Sequence, residues 1–445
     1  MEQLSFVGLD VPSTEDLQNC VHCGFCLPSC PTYLATGHEL ESPRGRLHVI
    51  AGIKEGRIDA NSRTLQHLDR CLQCRACETA CPSAVPYGRI MEDAKASIMA
   101  NRNSRQPRSW FIRSFLLRNI LSHQKRLRFT ISLGRFYSKS GLQNLIRGPL
   151  KKILPMKLVR LENSLPSLHK KPFRESGMLS SPEVSLDKVA LLTGCIHGEL
   201  YPEMHTSTVE VLDYMNFQVI APKTQVCCGA LHIHAGDAEA SRELARQNIE
   251  IFESSGASKV LVNAAGCGSA MKEYGRLLRH DEKWRERAEI FSAKVEDILE
   301  FVAKHKFDRQ LGEVREVVTL QDACHLAHAQ KEKLAPRTIL SSIPGLELRE
   351  MNTPDRCCGS AGIYSIVQPD LSSQVLSAKL EDVLGTDAGT VCTANPGCTL
   401  QLEAGLRGES SDMDVRHVIE LLAKSVRLGR DKKDNEEISE TGVIL

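Results

Sequence analysis

The sequence predicts a multidomain chain in which a small helical, cysteine-bearing domain precedes two copies of one α/β cysteine-rich domain. Three observations predict it. Eight of the 17 cysteines fall in two tight runs of one pattern before residue 82, later cysteines follow strand-like apolar runs, and those later cysteines recur at a nearly constant offset. At 445 residues the chain exceeds one ordinary core. Its 42% hydrophobic and 25% charged composition is that of a globular protein with apolar mass to bury. "MEQLSFVGLDVP" has neither the basic nor the apolar region of a secretory signal, and no run of 18 apolar residues occurs. The expectation is a cytosolic chain whose thiols stay reduced and whose clustered cysteines hold metal.

Residues 1–100 form the first unit. "CVHCGFCLPSCP" contains Cys20, Cys23, Cys26 and Cys30 before Pro31, and "CLQCRACETACP" contains Cys71, Cys74, Cys77 and Cys81 before Pro82. Both are C-x2-C-x2-C-x3-C-P, the run that holds [4Fe-4S] clusters in two-cluster ferredoxins, where the fourth cysteine of each run serves the other cluster. That rule assigns Cys20, Cys23, Cys26 and Cys81 to one cluster and Cys71, Cys74, Cys77 and Cys30 to the second. Structural zinc favours two separated C-x2-C pairs over triplets with a trailing Cys-Pro. About 40 residues separate the runs, and "PRGRLHVIAGIKEG" between them reads as helix, so an α-helical ferredoxin domain is expected. Arg44, Arg46 and His48 there read as surface or packing residues.

Residues 101–185 change character. Between 101 and 175 stand 18 Lys and Arg against Glu162 and Glu175 alone, a net charge of about +16 in a chain whose total is +1. "SWFIRSFLLRNILSHQKRLRF" spaces apolar residues by three and four between arginines, as in a basic amphipathic helix suited to an anionic membrane surface or an acidic partner. The Ser/Pro-rich stretch 164–182 reads as linker.

Residues 186–310 and 311–424 form the two repeats. "DKVALLTGC" and "ASKVLVNAAGC" read as buried strands ending in Gly-Cys, with "DAEASRELARQNIEIFESSG" helical between them, and "REVVTLQDAC" and "GTVCTANPGC" renew the order. Cys195 matches Cys324 at an offset of 129, Cys228 matches Cys358 at 130, and Cys267 matches Cys398 at 131. Each repeat therefore supplies a set: Cys195, Cys227, Cys228 and Cys267, then Cys324, Cys357, Cys358 and Cys398. Gly229 and Gly359 permit the tight turn that aims neighbouring thiols at one centre, a cluster or zinc, against the plainer reading of buried apolar cysteines. Cys392 stands outside the pattern and reads as core. The charged tail, 425–445, reads as disordered.

"CVHCGFC..SCPTY", "ESPRGR", "HLDRCLQCRACETACPS", "GCGSAMKEYG" and "CCGSAGIY" together resemble the iron-sulfur subunit of bacterial glycolate oxidase. Wider relatives are the iron-sulfur subunit of anaerobic glycerol-3-phosphate dehydrogenase, lactate-utilisation iron-sulfur proteins and the cysteine-rich subunit of heterodisulfide reductase. The resemblance spans about 15–424 and weakens in the basic segment and tail. It implies a helical two-cluster ferredoxin domain followed by two Cys-Cys-Gly (CCG) domains. It also implies a peripheral electron-transfer subunit on the cytoplasmic face of the inner membrane. Such a subunit relays electrons from FAD-containing subunits, which oxidise glycolate or D-lactate, to quinone or another acceptor. The eight N-terminal cysteines carry over as ligands of two [4Fe-4S] clusters. The family's repeats follow C…CCG…C-x-x-C, but Ala264 and Asn395 replace one cysteine of the last pair, so a five-thiolate cluster lacks a ligand and a four-cysteine site for a further cluster or zinc stays open.

No G-x-G-x-x-G after a strand and no P-loop occurs, which places substrate chemistry on another polypeptide and leaves no catalytic residue here. His232, His234, His325, His328, Tyr274 and Tyr364 are candidates for an acceptor pocket, against the plainer reading of loop and core residues. The alternatives are the equivalent subunit for D-lactate or glycerol-3-phosphate, or a cluster-containing nucleic-acid-binding protein. Leu, Ile and Phe at helical spacing, rather than exposed stacking aromatics, are expected to interleave the basic segment, so a membrane or partner surface is favoured and no nucleic acid is expected.

Overall fold

The computed structural model describes residues 6–101, 115–153, 155, 162, 165–166, 168, 170–174, 176–305 and 311–441. The N-terminal unit is helical. Ser42 caps helix Pro43–Lys54 by accepting the Gly45 N–H at 3.0 Å, and Pro43 occupies its first turn. Its apolar face meets helices Ser62–Asp69 and Tyr87–Ala100, and Leu47, Ile50, Ile53, Leu65, Leu68, Ile90 and Met91 close a core that includes Cys71 and Cys77.

In the first repeat, β2 (Asp187–Leu192) pairs in parallel with β3 (Phe217–Ala221) and β4 (Lys259–Val262), and β4 with β5 (Val295–Asp297). In the second, β6 (Val317–Leu320) pairs in parallel with β7 (Glu347–Arg349) and β8 (Thr390–Thr393), and β8 with β9 (Asp414–His417). The orders β3-β2-β4-β5 and β7-β6-β8-β9 are one topology twice, so the repeat read from cysteine spacing is a repeat of fold. Alternation along β2 divides the packing. Val189 and Leu191 enter a core shared with Val318 and Leu320 of the second repeat, while Ala190 and Leu192 face the layer that contains Cys227 and Cys228.

Three expectations are corrected. The stretch 164–182 is not all linker, because β1 (Gly177–Ser180) within it adds antiparallel to the β3 edge and extends the first sheet before residue 186. The segment from 425 is not disordered. Helix Val418–Thr441 runs through it, anchored where Ser425 and Val426 are buried and where Arg427 pairs with Glu210 at 2.6 Å. Residues 442–445 lie outside the described residues. The basic amphipathic helix, whose start at 109–114 also lies outside them, is not continuous. A π-turn at Leu117–Leu121 ends at Ser122, whose hydroxyl reaches the Leu117 carbonyl and His232 Nε2, and helix Gln124–Lys139 starts after an extended His123. Leu117, Leu121 and Leu127 pack into the first repeat, and Arg118 pairs with Asp237 and Arg135 with Glu199. Among the described residues no helix is long and apolar enough to cross a membrane.

Candidate metal centres

The two N-terminal runs share a backbone device. His22 and Gly24 in the first, and Gln73 and Arg75 in the second, lie at φ of 55°, 86°, 53° and 61° on either side of the middle cysteine. Such alternation turns successive N–H groups toward one concave side, an arrangement recurrent around anions and iron-sulfur sites. Arg75 sustains this conformation because Glu273 of the first repeat holds its guanidinium through both oxygens.

The cysteines surround two cavities. Cys20, Cys23, Cys26 and Cys81 line one, and Cys30, Cys71, Cys74 and Cys77 line the other, with Cys77 on the wall of both. The fourth cysteine of each run thus sits at the cavity of the other run, the grouping predicted from the spacing. Among the described residues no trio of Cys, His, Asp or Glu closes on one ion-sized point, and all 17 cysteines are free thiols. A ring of thiol donors with inward N–H groups fits a cluster better than a single zinc.

Buried charge shapes the second cavity. Arg46 is 1% exposed on its wall, donating to the His67 carbonyl at 2.7 Å, to Thr32 Oγ1 at 3.0 Å and to Glu41 at 2.8 Å. Burial alone would raise the Glu41 carboxyl, but Arg46, Arg70 and His67 outweigh it and hold it below the usual range. Burial pushes the Cys30 thiol up, with Arg46 opposing it. A cation beside thiolates stabilises their charged, metal-ligating form, so Arg46 is a site residue that the sequence ranked only as surface or packing. Nothing local in the sequence marks Arg46 as buried. Arg44 borders the first cavity and reaches the His22 carbonyl, whereas His48 is exposed.

In both repeats the cysteines follow the carboxyl ends of the three strands β3-β2-β4 and β7-β6-β8, around the point where the connections switch sides and where α/β sheets commonly bind ligands. Cys195 Sγ lies 3.9 Å from Cys227 Sγ. Cys228 bridges Cys227 and Cys267, and Cys357 and Cys358 stand likewise between Cys324 and Cys398. The neighbouring Cys195 and Cys228 thiols outweigh burial and hold the Cys227 thiol below its ordinary value. Of the two residues in the missing-cysteine position, Asn395 turns its amide toward Cys398 Sγ at 3.7 Å and accepts from the Gly266 N–H, while Ala264 offers no donor.

The second set also touches the ferredoxin unit. Cys74 and Cys357 pack in one buried cluster, and the neighbouring Cys357 thiol, with burial, raises the Cys74 thiol well above its ordinary value. Leu72, Tyr364 and Val375 seal this junction.

The acceptor-pocket candidates are buried or half-buried among hydrogen-bonded and stacked neighbours. Tyr274 donates to the Cys228 carbonyl at 2.8 Å, Tyr364 to the Arg70 carbonyl at 2.9 Å, and His328 bridges Thr79 and the Asp355 carbonyl. His234 stacks on His325 at 5.2 Å, and burial first, then His234, lowers His325 to about 3. Cys392 is fully buried in β8, as core.

Comparison with known proteins agrees with this anatomy. Residues 16–85 match the family described as "4Fe-4S dicluster domain", and 189–272 and 318–403 match "Cysteine-rich domain". Residues 109–165 match "Glycolate oxidase iron-sulfur subunit, linker region", so the resemblance does not weaken through the basic segment. The chain is 38% identical to the probable glycolate oxidase iron-sulfur subunit of Bacillus subtilis over 92% of its length and 94% of that protein. It is 30% identical to the glycolate oxidase iron-sulfur subunit of Escherichia coli over the same shares. Lactate utilization protein A of an Exiguobacterium is 27% identical over 54% of this chain and 99% of that one. A helical dicluster domain followed by two cysteine-rich α/β repeats, matched along nearly its whole length, places the chain in the glycolate oxidase iron-sulfur subunit family.

Proposed function

We propose that this chain is the electron-transfer subunit of a multi-subunit glycolate dehydrogenase. FAD-containing partner subunits oxidise glycolate by two electrons to glyoxylate, with D-lactate as a second 2-hydroxy acid. The electrons leave singly through this chain to quinone at the cytoplasmic face of the inner membrane. Two [4Fe-4S] clusters occupy the N-terminal cavities, and the CCG sets take a further cluster or zinc. The carrying observation is the continuity of the thiol sites: Cys77 borders both N-terminal cavities, and Cys74 of the second packs in one buried cluster with Cys357 of the repeats. When bound, a [4Fe-4S] cluster supplies one-electron transfer without bond change. The chain's residues set the order of the sites, exclude water with Leu72, Tyr364 and Val375, and place the Arg46 cation beside thiolate charge.

Membrane contact has its own support. On helix Gln124–Lys139, Phe129, Leu133 and Phe136 are 67%, 55% and 76% exposed on one face, beside exposed Lys125, Arg126 and Lys139 and with no acidic residue. That face suits an anionic lipid surface.

The test is anaerobic mixing of the cluster-loaded chain with its flavin subunits and substrate. Glycolate should bleach the visible cluster absorbance. Bleaching by D-lactate or glycerol 3-phosphate alone would reassign the substrate, and no bleaching by any of the three would end the relay reading.

A further inference from the structure

The repeats match in topology but not in charge. Helices Ala238–Glu253 and Pro369–Leu384 occupy the same place, and Ser241 and Ser372 each donate to the carbonyl of the CCG glycine, Gly229 or Gly359. At that register, Asn248 of the first repeat corresponds to Lys379 of the second. Asn248 is a neutral tie: its amide donates to the Cys227 carbonyl and accepts from the Val226 N–H. Lys379 is 0% exposed, and its Nζ faces the Thr353 carbonyl at 2.6 Å, the Pro354 carbonyl at 3.4 Å and Met351 Sδ at 4.0 Å. Three acceptors and no donor match the three hydrogens of an ammonium. Burial lowers the Lys379 ammonium from its ordinary value, and Asp382, Cys358 and Cys357 oppose that by holding its charge; Asp382 is itself tied to the Asn352 and Thr353 N–H groups.

We propose that Lys379 is the positioning charge that sets the second-repeat centre at a higher reduction potential than the first-repeat centre. The electron leaving the site of Cys30, Cys71, Cys74 and Cys77 therefore enters the second repeat. This rests on the reading that the CCG sets hold iron-sulfur centres. A centre that gains one electron gains one negative charge, and a buried cation beside it stabilises that state, whereas the first repeat has an amide at that place. The step is a one-electron exchange: the ferredoxin-side centre is oxidised by one electron and the second-repeat centre reduced by one, with no bond or proton moving. The buried cluster that holds both Cys74 and Cys357 supplies the short path.

The experiment is a redox titration of the anaerobically purified full chain, followed by electron paramagnetic resonance, with iron and zinc measured alongside. The second-repeat signal is the one lost in Cys358→Ser. Lys379→Met should lower its midpoint and leave the other signals unmoved, and Lys379→Arg should restore it. Asp382→Asn, which keeps the lysine and removes its carboxylate, should raise it. Should Lys379→Met fail to fold, Asn248→Lys carries the test, since it should raise the first-repeat midpoint. An unmoved second-repeat midpoint in Lys379→Met with iron retained, or equal shifts of every signal, overturns the role of Lys379 while the relay stands. Zinc in place of iron in the wild-type second repeat overturns it too, by removing the CCG iron-sulfur reading on which it rests.

Discussion

Gly229 and Gly359 are the residues on which the paired thiols turn. Their φ angles are +80° and +86°, and an added Cβ would lie 2.7 Å from Ser241 Oγ in one and 2.8 Å from the Ser372 carbonyl oxygen in the other. Left-handed backbone and a close neighbour both exclude a larger residue. Gly359→Ala should cost on the order of 2 kcal/mol or more in urea unfolding, and Gly229→Ala less, because a hydroxyl can rotate away and a carbonyl cannot. These turns were legible in the sequence, since Cys-Cys-Gly recurs at the repeat offset. Arg46 and Lys379 were not legible, because a buried cation has the same letter as a solvated one, and only packing from several elements makes it part of a site.

At the scale of elements, β5 passes directly into helix Ile298–Lys304 through Asp297, which is fully buried and caps the Leu299 N–H at 2.9 Å while its second oxygen has no hydrogen-bond partner. Burial pushes this carboxyl up to about 7. The folded-state pKa therefore lies above that of the unfolded chain, the folded state binds the extra proton, and stability falls as pH rises from about 4 to 7. Asp297→Asn keeps an oxygen for the cap and removes the titration. Its stability relative to wild type should rise between pH 5 and pH 8 by on the order of 2 kcal/mol, read by urea unfolding at both values.

Helix Gln124–Lys139 divides its faces between Leu127, buried against the first repeat, and the outer row of Phe129, Leu133 and Phe136. Replacing that row with serines should abolish co-sedimentation with anionic vesicles and leave the unfolding midpoint near wild type. Unchanged sedimentation would remove this face from the membrane reading. The helical period of the basic segment was readable, whereas its break at Ser122–His123 was not, because it depends on His232 from another domain.

For the whole molecule, contact between domains makes the two CCG sets unequal. Among the described residues, the second set packs Cys357 in one buried cluster with Cys74 of the ferredoxin unit, whereas the cluster around Cys227 and Cys228 holds no ferredoxin-unit cysteine. If both sets hold [4Fe-4S] clusters, iron should approach about sixteen per chain, against about eight for the N-terminal pair alone. Cys228→Ser and Cys358→Ser should each remove about four, and Cys358→Ser alone should also alter the magnetic resonance signal of the neighbouring ferredoxin cluster. Equal effects of the two variants on that signal would contradict the asymmetry.

By itself the sequence determined the eight-cysteine pattern with its crossed grouping, the duplicated α/β unit and the family, because metal ligation and turns require particular residues at particular spacings. It also named the strands that follow an apolar period, β2, β4, β6 and β8, but not the short edge strands such as β1. Only the tertiary structure decided which CCG set meets the ferredoxin unit, which cations are buried beside thiols, and that the segment after 425 is a docked helix. Those outcomes depend on side chains hundreds of residues apart, such as Cys74 and Cys357, whose packing in one cluster leaves no local mark in the chain.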